Sequence, residues 1–326
     1  MSSNKVFNFY SRFESGHRTE YIKFTASQLN GARVKLFAGL FSRKPLLFLM
    51  VEECFFIYWL ISVVRSIFKL KTVGLVFRAK ECTVSNTFKH KLKRFFLKNI
   101  KKNQNATSLS IIPFFVCPAI ENICDDWIYD FQFCDIDFLY TLTDLVQVKL
   151  FVNELNSLAN GRKIICAIGK QDESKGFDQF ITNYINSESL QKDFSFISGG
   201  KISGISDSLI TKFEDVGGII FNKKITDSEL VALYEASDFI WACYSPLYDQ
   251  SSGILGRGLQ FNKTVIVRKN SVAESISVNL EASFITMPIS SELLFSELNG
   301  FTNKELTSSP KLKNNMDKLK CLLGTK

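Results

Sequence analysis

Three short stretches carry residues that could handle a phosphorylated ligand. In AIGKQDESKGF, residues 167–177, Gly169 ends an apolar run, and Lys170 and Lys175 flank a polar turn ahead of a helical pattern. Two ammonium groups beside a helix N-terminus suit a diphosphate, because backbone amides and the helix dipole reinforce the positive charge. The same lysines also fit a solvated loop. A second apolar run ends in Ser198-Gly199-Gly200, where glycines would let backbone approach a ligand closely. The third stretch is YSPLYDQSSGILGRG, residues 244–258, in which Asp249, Gln250, Ser251, Ser252 and Gly253 lead into a helix. Hydroxyls and free amides at a helix start suit phosphate oxygens, and Asp and Ser are equally ordinary N-caps.

The elements that must position these loops alternate. Lys163–Ile168, Phe194–Ser198, Gly218–Phe221, Phe239–Ala242 and Thr264–Val267 read as strands. Helices are expected at Phe177–Ile185, Ser206–Phe213, from Thr226-Asp227-Ser228-Glu229 through Ala236, and at Gly253–Gln260. The Thr226/Glu229 spacing is a capping box. Short apolar strands separated by helices indicate a parallel sheet covered on both faces, with ligands at the carboxyl ends of the strands.

An earlier series has the same character: strands Lys5–Tyr10, Val34–Leu36, Leu46–Val51, Val73–Phe77 and Ser108–Phe115, with helices at Thr19–Leu29, 55–68 and 87–100. A helix at about 143–159, stopped by Asn160-Gly161, joins the two series, and residues 116–142 fit no regular pattern. The apolar run Leu46–Val64 is nearly long enough to span a bilayer. Glu52 and Glu53 interrupt it, and each carboxylate would cost a few kcal/mol at mid-membrane; strand, polar loop and helix are therefore expected there, with a transmembrane helix as the alternative.

The order of these parts resembles the donor-binding half of retaining GT-B glycosyltransferases over roughly Lys163 to Glu274. The resemblance rests on Gly-Lys and Lys-Gly after the first strand, Gly-Gly after the second, TDSELVALYEASD, the Pro-containing loop, the Gly-containing helix and FNKTVIV. It implies two Rossmann-like doubly wound α/β domains facing a cleft: an acceptor domain over 1–158, a donor domain over 159–300, and a tail over 301–326 that could return as a helix to the first. It implies that Lys170 and Lys175 hold the donor diphosphate, with Gly169, Gly199, Gly200, Ser251, Ser252 and Gly253 around it. Counted back from NKTVIV, the family's Glu-x7-Glu falls on Asp249, near the transferred sugar, and on Arg257. Arg257 reverses the charge where a carboxylate would accept two ribose hydroxyls, so it is expected on phosphate or sugar, or the site is inactive. In the first half the loop Glu14-Ser15-Gly16-His17 could place Gly16 near the diphosphate and His17 in the cleft as a catalytic residue, or leave His17 on the surface.

Charge is divided unevenly. Residues 1–102 carry 20 Lys and Arg against 5 Asp and Glu, whereas the remainder carries 20 against 27. Between Phe88 and Lys102, Phe88, Leu92, Phe95, Phe96 and Ile100 recur at helical spacing among Lys89, Lys91, Lys93, Arg94, Lys98, Lys101 and Lys102. This basic amphipathic helix suits an anionic membrane surface, or a core-packed helix with a solvated face; nucleic acid is disfavoured because no recognition module accompanies the charge. The eight cysteines form no C-x-x-C and there are two histidines, which disfavours a zinc site and a disulfide scaffold and favours a reducing, cytoplasmic setting. The expectation is a transferase using a UDP- or GDP-sugar without a metal cofactor, peripheral on the inner face of the membrane. Its acceptor would be a saccharide, lipid-linked in cell-surface polysaccharide or lipopolysaccharide synthesis. The rival is a non-catalytic GT-B-fold binding or scaffold protein.

Overall fold

Apolar runs of three to six residues form most strands of two parallel six-stranded sheets, and the central strands are buried on both faces while the edge strands are partly exposed. The structure is a computed structural model, and it describes residues 5–14, 18–85, 87–287, 291–301 and 310–325. The chain divides into two units: residues up to Phe131 together with those from Pro310, and residues from Gln132 to Ser309.

In chain order the first unit contains β1 Phe7–Tyr10, α1 Arg18–Ser27, β2 Gly31–Arg33, α2 Leu36–Phe41, β3 Leu46–Phe48, α3 Phe55–Ile67, β4 Thr72–Val76, α4 Ala79–Val84, α5 Phe88–Lys101, β5 Ala106–Ser110 and β6 Asp126–Trp127. Its sheet order is β2-β1-β3-β4-β5-β6, all parallel. Strand β2 lies earlier than the expected 34–36, because Gly31 pairs with Phe7 and a Cβ on it would stand 2.7 Å from the Phe7 ring. The crossovers from β2 to β3, β3 to β4 and β4 to β5 run the same way across the sheet. Right-handed connection therefore puts α2, α3 and α5 on one face and α1 on the other, and α3 packs against both α2 and α5.

The acidic interruption of the long apolar run is a short 3₁₀ turn at Val51–Glu53. Glu53 pairs with Arg18, and Glu52 Oε1 accepts the Arg78 backbone N–H at 2.7 Å. No helix among the described residues is long and apolar enough to cross a membrane, so the transmembrane alternative is corrected. Burial raises the Glu52 carboxyl to about 7. The folded state then holds this proton more tightly than the unfolded chain between about pH 4.5 and 7, so the charge opposes folding above that window. Glu52→Gln keeps the acceptor for Arg78 and is expected to raise stability at pH 8 by up to about 3 kcal/mol. Urea denaturation should show the gain shrinking towards pH 5; a gain equal at both pH values would exclude the charge as its cause.

The second unit begins with α6 Ile136–Thr141 and α7 Leu145–Ala159, closed by Asn160 in the left-handed conformation at φ 50°. There follow β7 Lys163–Ile168, α8 Phe177–Ile185, α9 Glu188–Asp193, β8 Phe194–Gly199, α10 Asp207–Asp215, β9 Ile219–Phe221, α11 Asp227–Ala236, β10 Phe239–Ala242, α12 Gly253–Gln260, β11 Thr264–Val267, α13 Val272–Asn279, β12 Phe284–Thr286 and α14 Ser291–Asn299. The capping box at Thr226 and Glu229 is formed. Helix α7 packs along α11, which is why the division falls after Phe131 and not after residue 158. The last helix, α15 Pro310–Leu323, belongs to the first unit, where Lys318 bonds Asp126 at 2.9 Å.

The second sheet has the order β12-β11-β10-β7-β8-β9. Its chain runs outward from β7 through β8 to β9, then returns to the other side of β7 as β10. The direction of winding thus reverses between β7 and β10. In open parallel sheets the crevice at that reversal, at the carboxyl ends of the strands, is where ligands bind.

Candidate functional site

The loops that leave β7 and β10 are tied together by backbone. Ser245 N–H donates to Ser174 O at 3.0 Å, and Trp241 Nε1–H donates to Gly176 O at 3.2 Å. Gly176, at φ 66°, comes so close to β10 that a Cβ would stand 2.0 Å from Cys243 O. Only glycine permits that approach, and it sets the position of Lys175 next to it.

Lys175 lies between two aromatic faces from the second loop. Its Nζ is 4.2 Å from the Tyr244 ring centroid and 3.9 Å from that of Tyr248. Both rings offer the cation their negative faces, and no carboxylate pairs with it among the described residues. Burial lowers its pKa to about 8, with Asp172 opposing and Lys170 assisting the shift. Lys170 is exposed and pairs with Asp172 at 3.3 Å. The arrangement is one ammonium between two rings and one exposed, carboxylate-paired ammonium on the same turn, both at the winding reversal.

The start of α12 joins this cluster. Ser252 caps the helix by accepting Leu255 N–H, and its hydroxyl bonds the Tyr244 hydroxyl. Ser251 Oγ and Ser245 Oγ are buried without a protein partner among the described residues. Arg268, just past β11, donates through Nε to Tyr244 O at 2.9 Å and pairs with Asp249 at 3.1 Å. Tyr244, Tyr248 and Arg268 were not singled out from the sequence. Their signal was positional: each lies within six residues of the carboxyl end of β10 or β11.

At several of the expected ligand contacts the residues also have close protein neighbours. A Cβ at Gly200 would stand 1.9 Å from Gly169 O, and one at Gly199 would stand 2.3 Å from Leu233. Gly199 and Gly200 therefore allow close packing of the strand ends and α11, whereas a Cβ at Gly169 would meet only Ile254, at 3.7 Å. Gly253 is approached by Gln132, at 1.6 Å from where a Cβ would be. Asp249 Oδ1 accepts Val272 N–H at 2.9 Å at the start of α13 and neutralises Arg268, so its carboxylate anchors the loop. Arg257 does not reach towards phosphate: its side chain is 5% exposed and forms a two-point pair with Asp135, with Nη2 2.6 Å and Nε 3.1 Å from Oδ2. Gly16 and His17 lie outside the described residues. No group of three or more His, Cys, Asp or Glu is arranged to hold a metal among the described residues.

The basic helix is α5, and its cations divide. Arg94 donates to the carbonyls of Cys82, Thr83 and Ser85, Lys101 to those of Glu121 and Cys124, and Lys93 sits over the Phe55 ring. These three contacts tie α5 to the fold of the first unit; Arg94 and Lys93 are half-buried, and Lys101 is exposed. Lys89, Lys91, Lys98 and Lys102 are exposed.

The structure matches WaaG, a glycosyltransferase involved in lipopolysaccharide biosynthesis, with TM-score 0.55 and 13% identity over 98% of this chain and 96% of that one. The architecture is the GT-B fold. A UDP-forming trehalose-phosphate synthase from Burkholderia xenovorans matches with TM-score 0.56 and 10% identity over 96% of this chain and 80% of its own. The N-terminal domain of a Candida albicans trehalose-6-phosphate phosphatase matches at 0.54 and 11%, over 96% and 75%. No protein-family model matches the sequence, and no curated protein does.

Proposed function

We propose that the chain is a glycosyltransferase that takes a sugar from a UDP- or GDP-sugar, with retention at the anomeric carbon and without a metal cofactor. The observation that carries this reading is Lys175, an ammonium held between Tyr244 and Tyr248 at the winding reversal of the second sheet, with Lys170 on the same turn. As the bond from sugar to diphosphate breaks, charge grows on the leaving oxygens. A preorganised cation nearby stabilises that charge without reorganising. The acceptor in this reading is a lipid-linked saccharide, and the protein works at the inner face of a membrane in the synthesis of cell-surface glycans; the fold shared with WaaG, which is involved in lipopolysaccharide biosynthesis, supports the glycan part of this reading.

Titration calorimetry with UDP, GDP and their glucose conjugates tests the donor site. Binding of one series at sub-millimolar concentration is expected, together with slow release of free sugar in the absence of acceptor. If neither nucleotide binds at millimolar concentration, the reading is wrong. A second reading, a GT-B-fold binding or scaffold protein without catalysis, draws on Arg257 and Asp249. Both occupy positions where the resembled family has carboxylates that touch the donor, and both are engaged inside the protein. Nucleotide binding without any sugar release or transfer would select it.

A further inference from the structure

The helices on one face of the first sheet are apolar on the side that turns away from the core. In α3 the buried positions are Phe55, Tyr58, Ile61, Ser62 and Arg65, yet Phe56, Leu60, Val63 and Ile67 are exposed. Spacings of four, three and four residues align this second set as a stripe on the opposite side of the helix. An ordinary surface helix carries charged residues there.

The neighbouring helices extend the stripe. Arg65, itself fully buried, donates to Gly39 O and Ser42 O and so fastens the end of α2 to the end of α3. Beside that junction Phe37 and Phe41 on α2 are 77% and 78% exposed, and Phe68 follows α3 in the same state. On the other flank Phe56 meets Phe96 of α5, which in turn meets Phe95. Phe88, 82% exposed, and Leu92 continue along α5.

Charge brackets this ridge with one sign. None of α2, α3 and α5 contains an Asp or Glu. Lys89, Lys91 and Lys98 stand exposed on α5, and Arg43, Lys69 and Lys71 stand exposed near the junction of α2 and α3. A second copy of the chain would oppose cations to cations. A nucleic acid would meet the lysines but leave the aliphatic stripe against polar backbone.

We propose that the α2–α3–α5 face docks on an anionic phospholipid leaflet, with the aromatic and aliphatic stripe among the upper acyl chains and the lysines at the headgroups. Apolar residues on a helix lying in the interface bury themselves at the acyl boundary, and lysines beside them gain from anionic headgroups. The proposal rests on the peripheral placement proposed above but not on the chemistry of transfer.

Co-sedimentation of the full chain with vesicles of phosphatidylcholine alone, and with 30% phosphatidylglycerol, tests it without any nucleotide sugar present. Binding is expected to need the anionic lipid and to weaken with salt. Leu60→Gln with Val63→Gln and Ile67→Gln should lower partitioning at least tenfold. Lys89→Gln with Lys91→Gln and Lys98→Gln should lower it about fivefold per charge. Circular dichroism and nucleotide binding of both variants should match the parent, which separates failure of this proposal from failure of the donor site. Binding independent of lipid charge, or undiminished in the α3 variant, would overturn it. So would dimers in sedimentation velocity that the α3 variant abolishes while vesicles remain unbound.

Discussion

Replacing Arg257 by alanine should cost about 3–5 kcal/mol of stability and leave much of the protein unfolded, whether or not the chain is an active transferase. Arg257 and Asp135 are each 5% exposed on their side chains, and the pair forms through two guanidinium nitrogens. Removing one partner strands the other charge in a site that Gln260 and Tyr234 help to enclose. Asp135→Ala should therefore be as damaging as Arg257→Ala. Arg257→Glu should be worse, because it sets two carboxylates against each other. Arg257→Met together with Asp135→Leu should recover stability close to the parent, since well-packed apolar groups often replace a buried pair without loss. Urea denaturation of the four variants checks this. An Arg257→Ala protein with parental stability that has lost only nucleotide affinity would return Arg257 to the donor site.

The pair also explains a discrepancy that the sequence could only raise. An arginine where the resembled family keeps a ribose-binding carboxylate reads as a decayed or rewired site. Its partner, Asp135, stands 122 residues earlier, within the stretch 116–142 that showed no periodicity. That stretch is built from 3₁₀ turns at Pro118–Asn122 and Phe131–Phe133, a two-residue strand and a six-residue helix, elements too short to show a period. Strands β7, β10 and β11 lie where the sequence placed them, whereas β5 ends at Ser110 and not at the expected Phe115. Helices α4 and α9, of six residues each, were invisible for the same reason as the irregular stretch.

The lysines show the complementary limit. That Lys170 and Lys175 follow a strand of a parallel sheet was readable from the sequence. That they differ was not, because the difference comes from Tyr244 and Tyr248, which reach Lys175 from the loop after a different strand. The glycines were legible as places of close approach, but the approaching group at Gly200 is Gly169 O and at Gly176 is Cys243 O. Sequence gives the permission for contact, and only the topology says what fills it. The apolar ridge of the first unit was half legible in the same sense: α5 stood out by its lysines, while α3, which contributes the longer stripe, was legible only as a helix, without its exposed apolar side.

The two lysines should respond unequally to the same substitution, and only one of them should respond to pH. Lys175→Met keeps an unbranched apolar chain between the two rings and removes the charge, so packing is conserved while a charge-assisted contact is lost. Donor affinity is expected to fall by more than tenfold, corresponding to about 1.5–3 kcal/mol. Lys170→Met should cost only a few-fold, because that ammonium is exposed and already paired with Asp172. The pH dependence follows from burial, which lowers Lys175 to about 8 in the free protein. A diphosphate favours the ammonium, so bound donor raises the pKa and binding takes up a proton once the free lysine is neutral. Below about pH 8 the cation is already present and affinity should be flat. Above it, Kd should rise towards tenfold per pH unit until the pKa of the complex is reached. Calorimetry with a nucleotide sugar between pH 7 and 9, in buffers of different ionisation enthalpy, would read both the affinity and the proton uptake. In Lys175→Met both should become independent of pH, and in Lys170→Met both should persist. If the parent binds equally well at pH 7 and 9 with no proton uptake, the ammonium between Tyr244 and Tyr248 is not what holds the diphosphate.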